Sequence, residues 1–159
     1  MRRGRRVRGV RSMAFRKFEE IEAWKLGRRL VRAIYELTGV DAFAGDYGLR
    51  DQIRRAAVSI CSNIAEGFGR RGNREFVNFL WIAKGSVSEV QSQLYHAYDL
   101  KYIKRDVCRH FYNEANIIAV KLFHLIQSLS DTTLKGLSYK RISSFPSPPS
   151  PPSPPSPPS

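Results

Sequence analysis

The chain has 159 residues and carries 27 Lys and Arg against 14 Asp and Glu, which gives a formal net charge of +13. A chain of this length buries enough surface to fold as one domain without a disulfide or a metal. All nine prolines lie from Pro146 onward, and 26% of the residues are charged, which argues against a loop-rich all-β protein or a disulfide framework and favours long helices.

The two ends differ in composition from the middle. Residues 1–12 contain six arginines and no acid, and Met13 begins a segment typical of a natural N-terminus. We interpret residues 1–14 as a disordered basic arm or the product of an upstream start codon; an organellar transit peptide is a third interpretation. From Pro146 the chain repeats Pro-Pro-Ser with the period of a polyproline II helix, which predicts either a spacer or a docking segment for a proline-recognising partner.

Four amphipathic helices are predicted between these ends. The first spans about residues 21–37, and a loop over 40–48 leads to the second, at about 49–67. The corner before the third helix is assigned to three glycines: Gly67, Gly69 and Gly72.

The third and fourth helices have the clearest apolar periodicity. The third begins at Asn73 and ends near Tyr102, and the fourth begins at Asp106 and ends within 128–131. The seam of the third is Phe76, Leu80, Ala83, Val87, Val90, Leu94 and Ala97, and that of the fourth is Phe111, Ala115, Ile118, Leu122, Leu125 and Leu129.

Short connections favour antiparallel neighbours, so the predicted fold is all-α, an antiparallel up-down-up-down four-helix bundle. The predicted organisation is an arm at 1–14, the bundle at 15–131, an extension at 132–145 and a Pro/Ser-rich tail at 146–159.

The residues that commonly carry catalysis are scattered. Cys61 and Cys108 lie 47 residues apart, and His96, His110 and His124 are separated by 14 residues each, too far along a helix to share a metal ion. We therefore predict a protein that is not an enzyme and has no metal or cofactor. The cysteine usage indicates a reducing compartment, and no apolar signal or membrane span is visible, so we predict a cytoplasmic protein without membrane contact.

Arginine clusters are the strongest functional signal. Three charge-compensating pairs are expected at i,i+4 spacing: Asp46 with Arg50, Asp51 with Arg55, and Glu66 with Arg70. They leave much of the charge uncompensated, and guanidinium groups suit phosphate, so a nucleic-acid backbone is the predicted partner. No base-reading motif is present. The candidate contacts are Arg28, Arg29, Arg32, Arg50, Arg54, Arg55, Arg70, Arg71 and Arg74.

Polar residues also interrupt the apolar runs. They are either a solvated flank or groups that bond across helices or across a subunit interface. The candidates are Asn63, Glu66, Ser86, Glu89 and Gln93.

Three segments resemble a known family. The string RRAAVSICSNIAEG at 54–67, the segment 76–89 and the opening at 18–25 are similar to the four-helix bundle proteins encoded in 23S rRNA intervening sequences. The resemblance covers about residues 15–130. Such proteins are similar to the accessory variability subunit of diversity-generating retroelements, a basic homopentamer that engages nucleic acid and a reverse transcriptase.

The resemblance implies an oligomeric helical barrel, with a pentamer expected and no catalytic residue to transfer. It implies phosphate contacts at Arg28, Arg32, Arg50, Arg54 and Arg55. The family usually has proline at the position of Cys61, so a kink in the second helix is expected to be weaker or absent.

Two hypotheses follow. The first is a non-enzymatic, homo-oligomeric binder of RNA or DNA backbone, associated with an rRNA intervening sequence or a retroelement-like system. The alternative is a protein interaction adaptor, for example an accessory subunit of a reverse transcriptase.

Overall fold

The computed structural model describes residues 15–70 and 72–136. Within them lie a short 3-10 turn, Phe18–Glu20, and five α-helices, with no strand, which confirms the all-α class. The arm at 1–14, residues 137–145 and the tail at 146–159 lie outside the described residues, so their predicted properties stay predictions. The helices are α1 Glu22–Thr38, α2 Asp41–Gly45, α3 Tyr47–Gly69, α4 Asn73–Asp99 and α5 Arg105–Gly136.

The four long helices pack in a cycle. Helix α3 packs against α1 and α4, and α5 packs against α1 and α4. Ser59 and Ser86 bond near the middle of the α3–α4 contact, at 2.8 Å between their hydroxyl oxygens. At the end of the bundle where α4 turns into α5, the Tyr102 hydroxyl donates to Asp46 Oδ2 at 3.0 Å. This bond ties the α4–α5 turn to the start of α3.

The core follows the predicted seams closely. All seven seam residues of α4 are buried, and Ala115, Ile118, Leu122 and Leu125 of α5 are buried with them. Phe111 and Leu129 are partly buried against this core. Helices α1 and α3 complete the core with Ala23, Leu30, Ile34, Ile53, Ala56, Ala57, Ile60 and Ile64.

The predicted loop at 40–48 is wrong in part, because it contains the short helix α2. Phe43 of this helix is buried, and its ring lies 5.4 Å from that of Tyr102. Burial of the Phe43 ring stabilises this short helix. One turn is too short to show a 3.6-residue periodicity, so the sequence pattern does not predict it.

Several helix ends differ from their predicted positions. Helix α3 starts two residues earlier, at Tyr47, because the Asp46 carboxylate caps it by accepting from Leu49 N at 3.0 Å. Helix α4 ends at Asp99, before a turn in which Lys101 has a φ of 62°. Helix α5 continues to Gly136, through the first residues of the predicted extension.

Gly67 lies inside α3, which corrects the sequence prediction for this residue, and Gly69 is the last residue of the helix, directly before the turn. Gly72 makes the turn, with a φ of 111° that other residues rarely adopt. Gly67 is buried where α3 meets α4, and a Cβ there would lie 2.5 Å from Phe79 Cβ. The absence of a side chain at Gly67 therefore sets how closely these helices approach.

Candidate functional site

The outer face of α1 carries a cluster of basic side chains. They line a shallow cleft of about 470 Å³ together with Trp24. Their i, i+3, i+4 spacing places them on one side of the helix, while Leu30 and Ile34 bury the other side. We call this surface the α1 basic face, and it consists of Trp24, Lys25, Arg28, Arg29 and Arg32.

Aromatic packing supports the α1 basic face. The Arg28 guanidinium carbon lies 5.8 Å from the centroid of the Trp24 ring, within cation–π range. Trp24 in turn makes an edge contact with Phe18 of the 3-10 turn, at 5.1 Å between ring centroids. The indole is thereby held between Phe18 and the Arg28 guanidinium.

Acidic neighbours compensate only part of this face. Lys25 lies 4.0 Å from Glu22, and Arg32 Nε donates to Glu36 at 3.1 Å. The Arg32 side chain is 84% exposed, and exposed pairs of this kind contribute about 0–1 kcal/mol, so a phosphate can replace Glu36 at little cost. Arg28 and Arg29 have no ion pair within the described residues.

Arg54 is held by the C-terminal end of α1. Its Nε donates to the buried hydroxyl of Thr38 at 2.8 Å and its Nη2 to the carbonyl oxygen of Tyr35 at 3.4 Å. Its guanidinium carbon lies 4.4 Å from the centre of the Tyr35 ring. Arg54 therefore satisfies terminal groups of α1 and joins α3 to it.

Arg50 is similarly occupied at the start of α3. It donates to the carbonyl oxygen of Ala44 at 3.1 Å and to Asp51 at 3.0 Å, and it stacks over Tyr47 at 4.5 Å. Arg55, one residue beyond Arg54, is exposed and has no ion pair within residues 15–70 and 72–136.

Only one of the three expected i,i+4 ion pairs forms. Arg70 pairs with Glu66 at 2.6 Å, as expected, and also lies 5.2 Å from the Phe79 ring. Asp46 caps α3 and accepts a hydrogen bond from the Tyr102 hydroxyl, so its carboxylate does not pair with Arg50. The same hydrogen bond raises the pKa of the Tyr102 phenol. Asp51 pairs with Arg50 and leaves Arg55 without an acid.

The predicted arginines do not converge on one surface. Arg50 and Arg70 stand at opposite ends of α3, about 30 Å apart at 1.5 Å per residue. Arg74 is exposed in the first turn of α4, and Arg71 lies outside the described residues. Among residues 15–70 and 72–136, three of the predicted arginines line a common cleft at the α1 basic face.

The predicted polar residues have mixed surroundings. Ser86 is buried and bonds across to Ser59 of α3, and Asn63 Nδ2 donates to Ser59 Oγ at 2.9 Å, so both belong to a polar network between helices. Glu89 is exposed. Glu66 accepts from Arg70, four residues further along the chain at the end of α3, and not from another helix. Gln93 Oε1 is buried and has no hydrogen-bond partner within the described residues.

Helices α1 and α3 cross closely at Cys61. A Cβ on Gly27 would lie 2.8 Å from Cys61 Sγ, and that thiol points at the carbonyl oxygen of Trp24, 3.7 Å away. Burial raises the pKa of Cys61 to about 11 and also raises that of Cys108, so both thiols are protonated at neutral pH. Helix α3 runs unbroken through Cys61.

A second cleft, at the α4–α5 corner, was missed at the level of sequence. It has a volume of about 310 Å³ and combines three tyrosines with two arginines. A signal for it is present in the sequence. Residues 95, 98 and 99 lie in the last turns of α4 and residues 105, 109 and 112 in the first turns of α5, so their side chains meet at two adjoining helix ends. Its walls are Tyr95, Tyr98, Asp99, Arg105, Cys108, Arg109 and Tyr112.

The part of the chain that the structure describes contains no group of three or more His, Cys, Asp or Glu arranged to hold a metal. None of its helices is long and apolar enough to cross a membrane.

The fold and the α1 basic face define an all-α protein with four cations along one side of a helix, and the sequence comparison places it in a family. A family model described as 23S rRNA-intervening sequence protein matches residues 19–124, and the chain belongs to this family. A solved structure of a protein with unknown function from the S23 ribosomal protein family of Bacteroides thetaiotaomicron VPI-5482 is 22% identical. The match covers 66% of this chain and 98% of that chain with a TM-score of 0.61, which shows a shared fold. No curated protein matches.

Proposed function

We propose that this protein is a non-enzymatic binder of nucleic-acid backbone and that the α1 basic face is its principal contact surface. The observation that carries the proposal is the convergence of Lys25, Arg28, Arg29 and Arg32 on one cleft. Four cations at this spacing suit successive phosphates, and they are presented by a helix that the core holds rigidly. The family's description links such proteins to rRNA intervening sequences, and we propose RNA or DNA of that context as the ligand.

The remaining predicted arginines take secondary roles in this proposal. Arg55 and Arg74 are exposed and available to phosphate, and Arg70 can exchange Glu66 for it. Arg50 and Arg54 are proposed to act mainly in stability, since each is bonded to backbone carbonyls of the preceding helices.

Salt dependence tests this function. Fluorescence anisotropy with labelled RNA and DNA oligomers should show affinity falling roughly 100-fold between 50 and 200 mM salt, because about four phosphate contacts each release counterions. No binding at 50 mM salt, or binding that does not depend on salt, would contradict the proposal.

The four long helices are proposed to form an antiparallel up-down-up-down bundle that self-associates through α4 and α5. Their cyclic packing order supports the bundle. Exposed apolar side chains on both helices support the association, and Trp81 contacts Phe123 at 6.5 Å between ring centroids. Surface apolar groups concentrated in this way mark interaction sites. The residues concerned are Trp81, Ile82, Ile117, Val120 and Phe123.

Light scattering tests the association. The chain has a mass of 18.2 kDa, so the pentamer expected from the family resemblance would have a mass of roughly 91 kDa. Trp81→Glu with Phe123→Glu should lower the mass toward that of one chain, while Val58→Glu, an exposed apolar position on α3, should not. A monomer mass for the unaltered protein would overturn the oligomer.

The α1 basic face also supports a second candidate function, that of an adaptor for another protein such as a reverse transcriptase of a retroelement-like system. An acidic partner would then occupy the basic face. A pulldown whose partner is retained after nuclease treatment would support the adaptor, and loss of the partner would support nucleic-acid binding.

A further inference from the structure

The cleft at the α4–α5 corner differs from the α1 basic face because three of its seven lining residues are tyrosines, whereas Trp24 is the one aromatic residue lining the cleft on α1. Tyr95 and Tyr98 come from the last turns of α4 and are 53% and 40% exposed. Tyr112 of α5 packs against Tyr95, at 5.6 Å between ring centroids and 56° between ring planes. These rings leave apolar faces open to solvent inside a concave surface.

Two arginine side chains also line this cleft. Arg105 and Arg109 are one turn apart at the start of α5, both are exposed, and neither has an ion pair within the described residues. Lys101 and Lys104 flank them in the connecting turn. The acids nearest in sequence, Asp99 and Asp106, leave this corner with an excess of positive charge.

We propose that this cleft, which we call the tyrosine cleft, takes one unpaired nucleobase together with its phosphate. The base would stack on Tyr98, since Tyr95 already packs against Tyr112, and Arg105 and Arg109 would contact the phosphate. Asp99 lies in the wall and offers a carboxylate to an exocyclic amine or a ribose hydroxyl.

Size and shape favour a single base over a duplex. The volume of about 310 Å³ lies at the lower end of the roughly 300–1,000 Å³ found for small-molecule sites. Bases inside a duplex are stacked and their faces cannot reach the tyrosines, so only a single strand, loop or bulge can fill the cleft. The inference rests on the proposed nucleic-acid binding and adds a preference for unpaired strands.

Two oligomers of equal charge test the stacking. One is a single strand carrying bases, and the other has the same number of phosphates with abasic residues throughout. The unaltered protein should bind the base-carrying strand about tenfold more tightly, since a stacked base contributes on the order of a tenfold change or more. Tyr98→Ala should remove this preference and leave the affinity for the abasic strand unchanged.

Three controls separate the possible outcomes. Tyr98→Phe should keep the preference, because stacking needs the ring and not the hydroxyl, and Tyr47→Ala, outside the cleft, should also keep it. Arg105→Gln with Arg109→Gln should weaken binding of both strands.

Equal affinity of the unaltered protein for both strands would overturn the inference that the tyrosine cleft binds a base. It would leave the proposed binding of nucleic-acid backbone unaffected. No binding of either strand would overturn both. Displacement of the base-carrying strand by polyglutamate, with the same Tyr98 dependence, would identify an acidic peptide as the occupant and also overturn the inference.

Discussion

Replacing Arg28, Arg29 and Arg32 with glutamine is expected to weaken nucleic-acid binding roughly 500-fold at 0.1 M salt. Each phosphate contact on a duplex contributes about 0.9 of a logarithmic unit at that concentration, and three contacts would be lost. The three side chains are exposed on α1, so the substitutions should leave the core and the melting temperature nearly unchanged. Anisotropy titration of one labelled duplex gives the ratio of affinities directly.

The control for this prediction removes the same charge from other surfaces. Arg55→Gln, Lys84→Gln and Lys121→Gln together take three charges from α3, α4 and α5, where none of these residues forms an ion pair within the described residues. This variant should lose no more than about tenfold, through the one secondary contact that Arg55 makes with phosphate and the general field of the protein. An equal loss in the two variants would show that net charge, and not the α1 basic face, determines binding.

Arg50 and Arg54 are unsuitable for the same test. Their guanidinium groups bond to Ala44, Thr38 and Tyr35, so charge reversal there would remove contacts that join the helices as well as any phosphate contact. If such a variant lost binding, the loss could come from unfolding of the protein as well as from the missing phosphate contact.

Gly67→Ala is expected to destabilise the fold by about 1–3 kcal/mol, the usual range for overpacking a buried site. The added Cβ would lie 2.5 Å from Phe79 Cβ and 3.0 Å from Phe76 Cδ2. The Phe79 Cβ atom is attached to the α4 backbone and cannot move away by a rotamer change, so α3 and α4 must separate. Urea denaturation measures the loss as a lower midpoint.

Gly85→Ala provides the matched control, since Gly85 lies in the interior of α4 with nothing within 4 Å of its added Cβ. Alanine there should stabilise the protein by about 0.5–1 kcal/mol through its better helix propensity. If Gly67→Ala raised stability as Gly85→Ala does, the close approach of α3 and α4 would be wrong.

The sequence predicted the core better than it predicted the connections. The α4 seam was recovered at every position because long amphipathic helices repeat one pattern over several turns. Helix α2 was missed because one turn shows no period. Gly67 was assigned to a corner because glycine favours both turns and close helix contacts, and only the neighbouring side chains distinguish the two.

The candidate site was predictable in composition but not in grouping. The sequence identified Arg28, Arg29 and Arg32 as a cluster because they lie within two turns of one helix. It could not show that Arg54 bonds to Thr38, 16 residues away, or that Asp51 turns to Arg50 instead of Arg55. The tyrosine cleft was missed for a similar reason, since its walls come from two helices joined by a turn.

The salt slopes of two proteins test the central claim most directly. The logarithm of the binding constant for one duplex should be measured against the logarithm of salt concentration, for the unaltered protein and for the variant with glutamine at Arg28, Arg29 and Arg32. The slope should become shallower by about 2.7 in the variant, because three phosphate contacts are lost. Identical slopes would contradict the assignment of phosphate binding to the α1 basic face.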